Sequence, residues 1–333
     1  MNIAYVFDDN FASCAAVSLI SLLENNPDVG DINIYIFDDG ITEESKQNIK
    51  SICSQHDVKI YFIDAKQISA RLAQLGVQAW RGRYSAYIKL MVSSFVPQDL
   101  SRLIVLDADT IVVGDISELN TMDLHGHPCA MALEGIDGNY QLISGVGRSE
   151  LYNAGVIVYD LPVWRSKKVE ERFIDHLTNV RARYMLPEED PISIVLKDDI
   201  ERLSPKFNFI AQFYVYATKR YFRRFHWDVL GEHFYSLAEL QVARKDPRIY
   251  HCIDLFTSRP WYKESIHPYT ECYDRYLKMT PWKDKPKKSQ KMTTVTKIEY
   301  LLRKYLPRPL SDYFYYVAAR LYYGPGARKY YKS

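Results

Sequence analysis

Leu103-Ile104-Val105-Leu106-Asp107-Ala108-Asp109 carries an apolar run into two acids spaced two residues apart. Successive side chains on a strand point to opposite faces, so both carboxylates leave the same face. The aliphatic run reads as a strand buried on both sides, which delivers the acids to the C-terminal edge of a sheet. Open α/β sheets bind their ligands at that edge. Two ionised carboxylates this close repel each other unless a cation or a shared proton relieves them. Hard oxygen ligands suit Mg²⁺ or Mn²⁺. The bland alternative is a strand-end turn whose acids face water.

The chain has 333 residues, 47% hydrophobic and 25% charged, an ordinary globular profile that argues against wholesale disorder. Met1-Asn2-Ile3-Ala4-Tyr5-Val6-Phe7 reads as a first strand rather than a signal peptide. No apolar run approaches the length of about 20 residues that a spanning helix requires. The five cysteines (Cys14, Cys53, Cys129, Cys252 and Cys272) are widely spaced and include no C-x-x-C pair. Reduced thiols in a cytosolic protein are the simplest account, and a zinc site is not expected. The net charge of +2 conceals an asymmetry: residues 283–333 hold 13 Lys and Arg against three acids, and the body holds 30 basic and 38 acidic residues. Such a tail suggests an anionic partner.

Strands and helices alternate along the first half. Strands are expected at 2–7, 32–37, 58–63 and 103–106, and helices at 12–24, 42–54 and 85–95. Thr42 would cap its helix, with Glu43 and Glu44 in the first turn. This rhythm predicts a mainly parallel, twisted sheet with helices on both faces. Asp8-Asp9-Asn10 stands after the first strand where a G-x-G-x-x-G fingerprint would be, which argues against a dinucleotide dehydrogenase. Downstream, Asn153-Ala154-Gly155 precedes the apolar 156–159, and the Asn and Gly suit a tight turn close to a ligand. Glu188, Glu189 and Asp190 cluster before an apolar helix at 192–196, where either catalysis or the helix macrodipole accounts for them. His251 ends a strand-like 248–250 and is a candidate third ligand beside the aspartate pair.

Taken together, these blocks resemble family 8 of the retaining glycosyltransferases, which includes bacterial lipopolysaccharide galactosyl- and glucosyltransferases and the glycogenins. The resemblance covers residues 1 to about 261. It implies a GT-A-type, Rossmann-like α/β domain with a mixed, mainly parallel sheet over residues 1–282. A basic, Tyr-rich helical tail follows at 283–333. It further implies a uracil-binding turn at Val6, Asp8 and Asn10. The D-x-D motif is Asp107-Ala108-Asp109, holding Mn²⁺ (or Mg²⁺) with His251, and Asn153-Ala154-Gly155 lines the donor sugar. Glu188-Glu189-Asp190 falls where the family usually has D-Q-D. His251 to Trp261 resembles the H-x-x-G-x-x-K-P-W block, whose basic residue holds a phosphate and is Arg259 here.

The departures are specific. Tyr87 stands where relatives often place an Arg near the donor, and Asp254 replaces a Gly. Arg259 replaces Lys with two extra residues before it, and Glu189 replaces a Gln beneath the reacting sugar carbon. Arg still clamps phosphate, with a fork instead of a point charge. A carboxylate at Glu189 could attack as a nucleophile or stabilise developing positive charge.

The implied activity is retaining transfer of galactose or glucose from a UDP-sugar to a saccharide or glycolipid acceptor, in lipopolysaccharide, lipooligosaccharide or capsule synthesis. Acceptor contacts are expected around 134–147 and 207–216. In the tail, Ile298, Leu301, Leu302 and Tyr305, then Phe314, Val317 and Leu321 with several Tyr, recur at helical spacing among Lys and Arg. Docking on an anionic membrane at the cytoplasmic face of the plasma membrane is expected, with no nucleic-acid partner. Packing of the tail on the body, a homo-oligomer contact and nucleic-acid binding are the alternatives. Two rival functions remain: a catalytically impaired nucleotide-sugar-binding protein, and a haloacid-dehalogenase-like phosphatase using D-x-D-x-T at 107–110.

Overall fold

The protein is described by a computed structural model over residues 1–79, 84–136, 150–179, 184, 186–254 and 257–323. Seven strands form the main sheet: β1 (Asn2–Phe7), β2 (Asn33–Asp38), β3 (Lys59–Asp64), β4 (Arg102–Leu106), β6 (Cys129–Leu133), β7 (Tyr152–Asp160) and β8 (Glu201–Arg202). A smaller sheet joins β5 (Thr110–Val112), β9 (Phe209–Ile210) and β10 (Ile249–His251). The main order is β3-β2-β1-β4-β7-β6-β8, and only β7 runs against its neighbours. Leu103, Ile104, Val105 and Leu106 are all completely buried, as expected for a central strand covered on both faces.

Helix α1 (Ala12–Asn25) packs on β5, and α2 (Glu43–Gln55) starts with Thr42 Oγ1 accepting the Ser45 N–H at 3.3 Å, as the sequence led one to expect. Two local expectations change. Residues 85–95 are not an α-helix: Ser85–Ser94 winds as a ten-residue 3₁₀ helix. Tyr87 to Ser93 are buried in succession, without the amphipathic face of a surface helix. Asn153-Ala154-Gly155 is not a turn before a strand but lies inside β7. There the register with β6 jumps, Met131 pairing with Ile157 and Ala132 with Asn153. A bulge of this kind re-aims side chains next to a site.

This topology puts the chemistry at one edge. The C-terminal ends of β1 and β4 and the N-terminal end of antiparallel β7 meet, with the Asp107 N–H donating to the Gly155 carbonyl at 2.9 Å. The small sheet brings His251 opposite Thr110, and the Cys252 N–H donates to the Asp109 carbonyl at 3.0 Å.

The tail is not a detached appendage. Helices Thr294–Tyr305 and Arg308–Tyr323 form a hairpin docked on the body. Arg303 pairs with Asp312 in the buried seam, and the Tyr315 ring stacks on Tyr216 at 5.2 Å between centroids. The opposite face stays open: Val295, Ile298, Leu301, Tyr305, Leu310, Tyr313, Phe314 and Leu321 are exposed. Among the described residues, packing and an exposed apolar face therefore coexist. Among the described residues, no helix is long and apolar enough to cross a membrane.

Candidate active site

A cleft of about 670 Å³ opens at the shared strand edge, lined among others by Val6, Asp8, Lys89, Asp107, Asp109, Glu188 and Arg259, with Phe11 beside them. The acidic turn is rigid. Thr110 Oγ1 donates to the Asp107 carbonyl at 2.8 Å and lies 2.9 Å from Ser18 Oγ of α1, so the turn is pinned to a core helix. Asp107, Asp109 and His251 each offer one ligand atom, and the three atoms lie within 4.8 Å of one another. His251 Nε2 is 3.3 Å from Asp109 Oδ1 and 3.8 Å from Asp107 Oδ2. Gly155 makes the approach feasible, because a Cβ there would come 2.3 and 2.4 Å from atoms of the His251 ring. Two carboxylates and an imidazole converging in this way fit a divalent cation such as Mn²⁺.

Burial alone would raise the Asp109 carboxyl, but His251 and Arg259 hold it well below the usual carboxylate range. His251 is raised in turn: burial opposes its charge, and the Asp109 and Asp107 carboxylates override that. Arg259 Nη1 lies 2.5 Å from Asp109 Oδ2, and its guanidinium rests over Trp261 at 5.4 Å from the ring centroid. Among the described residues, the other cation lining the cleft is Lys89. Its ammonium, buried, lies 2.5 Å from Asp107 Oδ1 and 2.6 Å from Glu188 Oε2, and donates to the Ala154 carbonyl at 3.2 Å.

Of the acidic cluster, Glu188 lines the cleft. Glu189 lies half-buried behind it, where burial, then Glu188 and Glu134, push its carboxyl well above the ordinary value. Asp190 is fully buried and accepts the Leu186 N–H at 3.1 Å, a chain-anchoring role with no face toward the cleft. Tyr87 is also buried and off the cleft wall, and this segment presents Ser85, Ala86 and Lys89 to the site instead. Val6 and Asp8 line the cleft, and Asp8 accepts from the Asn10 N–H and side chain at 3.0 and 3.1 Å. Asn10 lies in an adjoining recess with Asp39 and Ser85. Ala108 lines the cleft with the two acids, whereas Asn153, Ala154 and Gly155 are buried in β7. The part of the expected acceptor region at 137–147 lies outside the described residues.

Sequence reasoning missed Lys89, Phe11, Asp39 and Asn208. Lys89 had a legible signal, a single charge inside the otherwise apolar Ile88-Lys89-Leu90-Met91-Val92. Such a residue is buried only with a partner. Asn208 had none.

Lipopolysaccharide 1,2-glucosyltransferase of Escherichia coli K12 is 26% identical to this chain over 290 residues, covering 85% of the chain and 79% of that protein. In structure, the chain resembles the WbbM bifunctional glycosyltransferase (TM-score 0.70, 17% identity). That match covers 85% of the chain, which spans half of WbbM. It also resembles the galactosyltransferase LgtC in complex with donor and acceptor sugar analogs. There the TM-score is 0.63 at 17% identity, over 84% of this chain and 96% of that one. These likenesses establish a GT-A fold. The model of glycosyl transferase family 8 matches residues 2–252, which sets the phosphatase reading aside, and the chain belongs to that family.

Proposed function

We propose that the protein is a Mn²⁺-dependent retaining hexosyltransferase that moves glucose or galactose from a UDP-sugar to a saccharide acceptor in the synthesis of a bacterial surface glycan such as lipopolysaccharide. The observation that carries this reading is the convergence of Asp107, Asp109 and buried His251, with the two aspartates and the Arg259 guanidinium lining the cleft. The family membership and the printed activities of the glucosyltransferase and galactosyltransferase relatives support it.

Asp107 and Asp109, through carboxylate oxygens, and His251, through Nε2, would hold the cation, which supplies Lewis-acid neutralisation of the charge that grows on the departing diphosphate. Arg259 adds a fork of donors to the same phosphate. Lys89 holds Glu188 at the cleft wall, where its carboxylate can accept from hydroxyls of the transferred sugar. Glu189 follows Glu188 in the chain and, ionised in the donor complex, would answer positive charge developing at the sugar carbon. The acceptor hydroxyl attacks on the face the diphosphate leaves, which preserves the anomeric configuration. The intact set of cations and carboxylates favours turnover over an impaired binding protein.

The exposed apolar face of the tail hairpin, flanked by Lys297, Lys304 and Arg320, is read as a dock for an anionic bilayer. That would keep the enzyme beside a lipid-linked acceptor at the cytoplasmic face of the membrane. The activity is tested by incubating the protein with a panel of nucleotide sugars and Mn²⁺ and quantifying released nucleoside diphosphate. UDP release from a UDP-hexose supports the reading, and no release from any member of the panel contradicts it.

A further inference from the structure

Behind His251 runs a buried chain of hydrogen bonds between side chains that has no exposure to the cleft. His251 Nδ1 lies 3.0 Å from Asn208 Oδ1, Asn208 Nδ2 lies 2.6 Å from Asn153 Oδ1, and Asn153 Nδ2 lies 2.6 Å from Glu134 Oε2. The four side chains come from β10, from the segment before β9, from β7 and from the end of β6. All four residues are 6% exposed or less.

The direction of this chain is fixed at two points. Burial raises the Glu134 carboxyl, and the Asn153 amide and Gly135 N–H oppose that; ionised, it only accepts, which calls for the Asn153 amide nitrogen. The Gly155 backbone N–H only donates, and it donates to Asn153 Oδ1 at 2.9 Å, which demands the same orientation independently. With Asn153 Oδ1 facing Asn208, the Asn208 nitrogen must point to Asn153 and its oxygen to His251. An oxygen that only accepts then requires Nδ1 of the imidazole to carry the proton. The lone pair is left on Nε2, the atom facing Asp107 and Asp109.

We propose that Glu134, Asn153 and Asn208 are positioning residues that select the Nδ1–H tautomer of His251 and so present Nε2 as a ready metal ligand. The relay gives the Asn153 side chain a role other than contact with the sugar: its amide is consumed by Glu134, Asn208 and Gly155. It gives Glu134 one as well, since the other carboxylate oxygen is capped by the Gly135 N–H at 2.7 Å. The inference rests on the metal reading of the site for its consequence but not for its geometry.

The test is two measurements on the full chain. The first is the ¹⁵N–¹H correlation pattern of the His251 ring in metal-free protein under alkaline conditions, where the ring is neutral. The Nδ1–H tautomer is expected in the wild type, with a shift toward Nε2–H in Asn208→Ala; the Nε2–H tautomer in the wild type would overturn the relay. The second is Mn²⁺ affinity without nucleotide, followed by the electron paramagnetic resonance signal of free Mn²⁺. Asn208→Ala should weaken binding about 10- to 100-fold, the range for loss of a partner that orients a ligating His. Glu134→Gln should weaken Mn²⁺ in the wild-type background and have no further effect once Asn208 is Ala, because its influence passes through Asn208. Equal affinity in wild type and a folded Asn208→Ala, or additive effects of the two changes, would overturn the relay. Nδ1–H in a wild type that binds no Mn²⁺ would leave the relay standing and sink the metal reading.

Discussion

Lys89 Nζ lies 2.5 Å from Oδ1 of Asp107, so the first acid of the D-x-D pair already holds a buried cation on the side away from His251. The same ammonium reaches Glu188, and its pKa stands above the ordinary lysine value: burial opposes the charge, and the Asp107 and Glu188 carboxylates outweigh it. Lys89, with Arg259 on Asp109, thus neutralises part of the site before any divalent ion arrives.

Removing that cation should be costly without metal and less so with it. Lys89→Met leaves Asp107 and Glu188 facing each other in a largely dry wall, and breaking a buried pair in this way costs about 3 kcal/mol. Chemical denaturation should show that loss in metal-free protein and partial recovery on adding Mn²⁺. Equal stability of variant and wild type without metal would mean that Lys89 carries no structural charge.

Gly155→Ala should act through His251. The new Cβ would meet the imidazole at 2.3 to 2.4 Å, and the ring must move away from Asp109. The expected result is a fold destabilised by about 1–3 kcal/mol from overpacking, with Mn²⁺ bound at least ~10-fold more weakly. A Mn²⁺ titration matching the wild type would show that the ring is not confined by β7.

Glu189→Gln keeps the shape of a carboxyl that its surroundings push toward the neutral form. If Glu189 only answers developing positive charge, turnover should fall about 10-fold, equivalent to about 1.4 kcal/mol, with KM for the donor little changed. A loss of several orders of magnitude in kcat at constant donor affinity would identify a covalent nucleophile. Steady-state kinetics separates the two, and the modest loss is expected.

The hairpin changes how membrane docking is tested. Truncation after Trp282 would strip the cover from Tyr216 and Phe225, which the Tyr315 ring contacts at 5.2 and 6.1 Å between centroids, and so would confound docking with unfolding. Substituting the outward residues avoids this. Ile298→Glu with Phe314→Glu should abolish co-sedimentation with anionic vesicles and leave turnover on a water-soluble acceptor unchanged. Undiminished vesicle binding would assign the apolar face to another partner.

Much of the fold was legible because its signals are local. Buried aliphatic runs, the Thr42 cap and the alternation of elements placed β1 to β4 within a residue or two. The order of the sheet beyond β4 was not, since antiparallel β7 and the pairing of β5 with β10 join segments more than 40 residues apart. The metal-site candidates were readable as residue types and spacing. Lys89 was passed over in favour of Tyr87, the position where relatives often carry an Arg, in a segment whose residues 87 to 93 are all buried. The relay behind His251 was invisible for a deeper reason: its asparagines resemble ordinary turn residues until the strands bring them together.

The central claim is that Asp107, Asp109 and His251 hold a metal through which the donor diphosphate binds. Isothermal titration of a UDP-hexose into the protein, with and without Mn²⁺, tests it most directly when repeated on Asp109→Asn. The account predicts binding to the wild type only when Mn²⁺ is present and none to a folded Asp109→Asn protein under either condition. Equal donor affinity in wild type and variant, or metal-independent binding by the wild type, would contradict it.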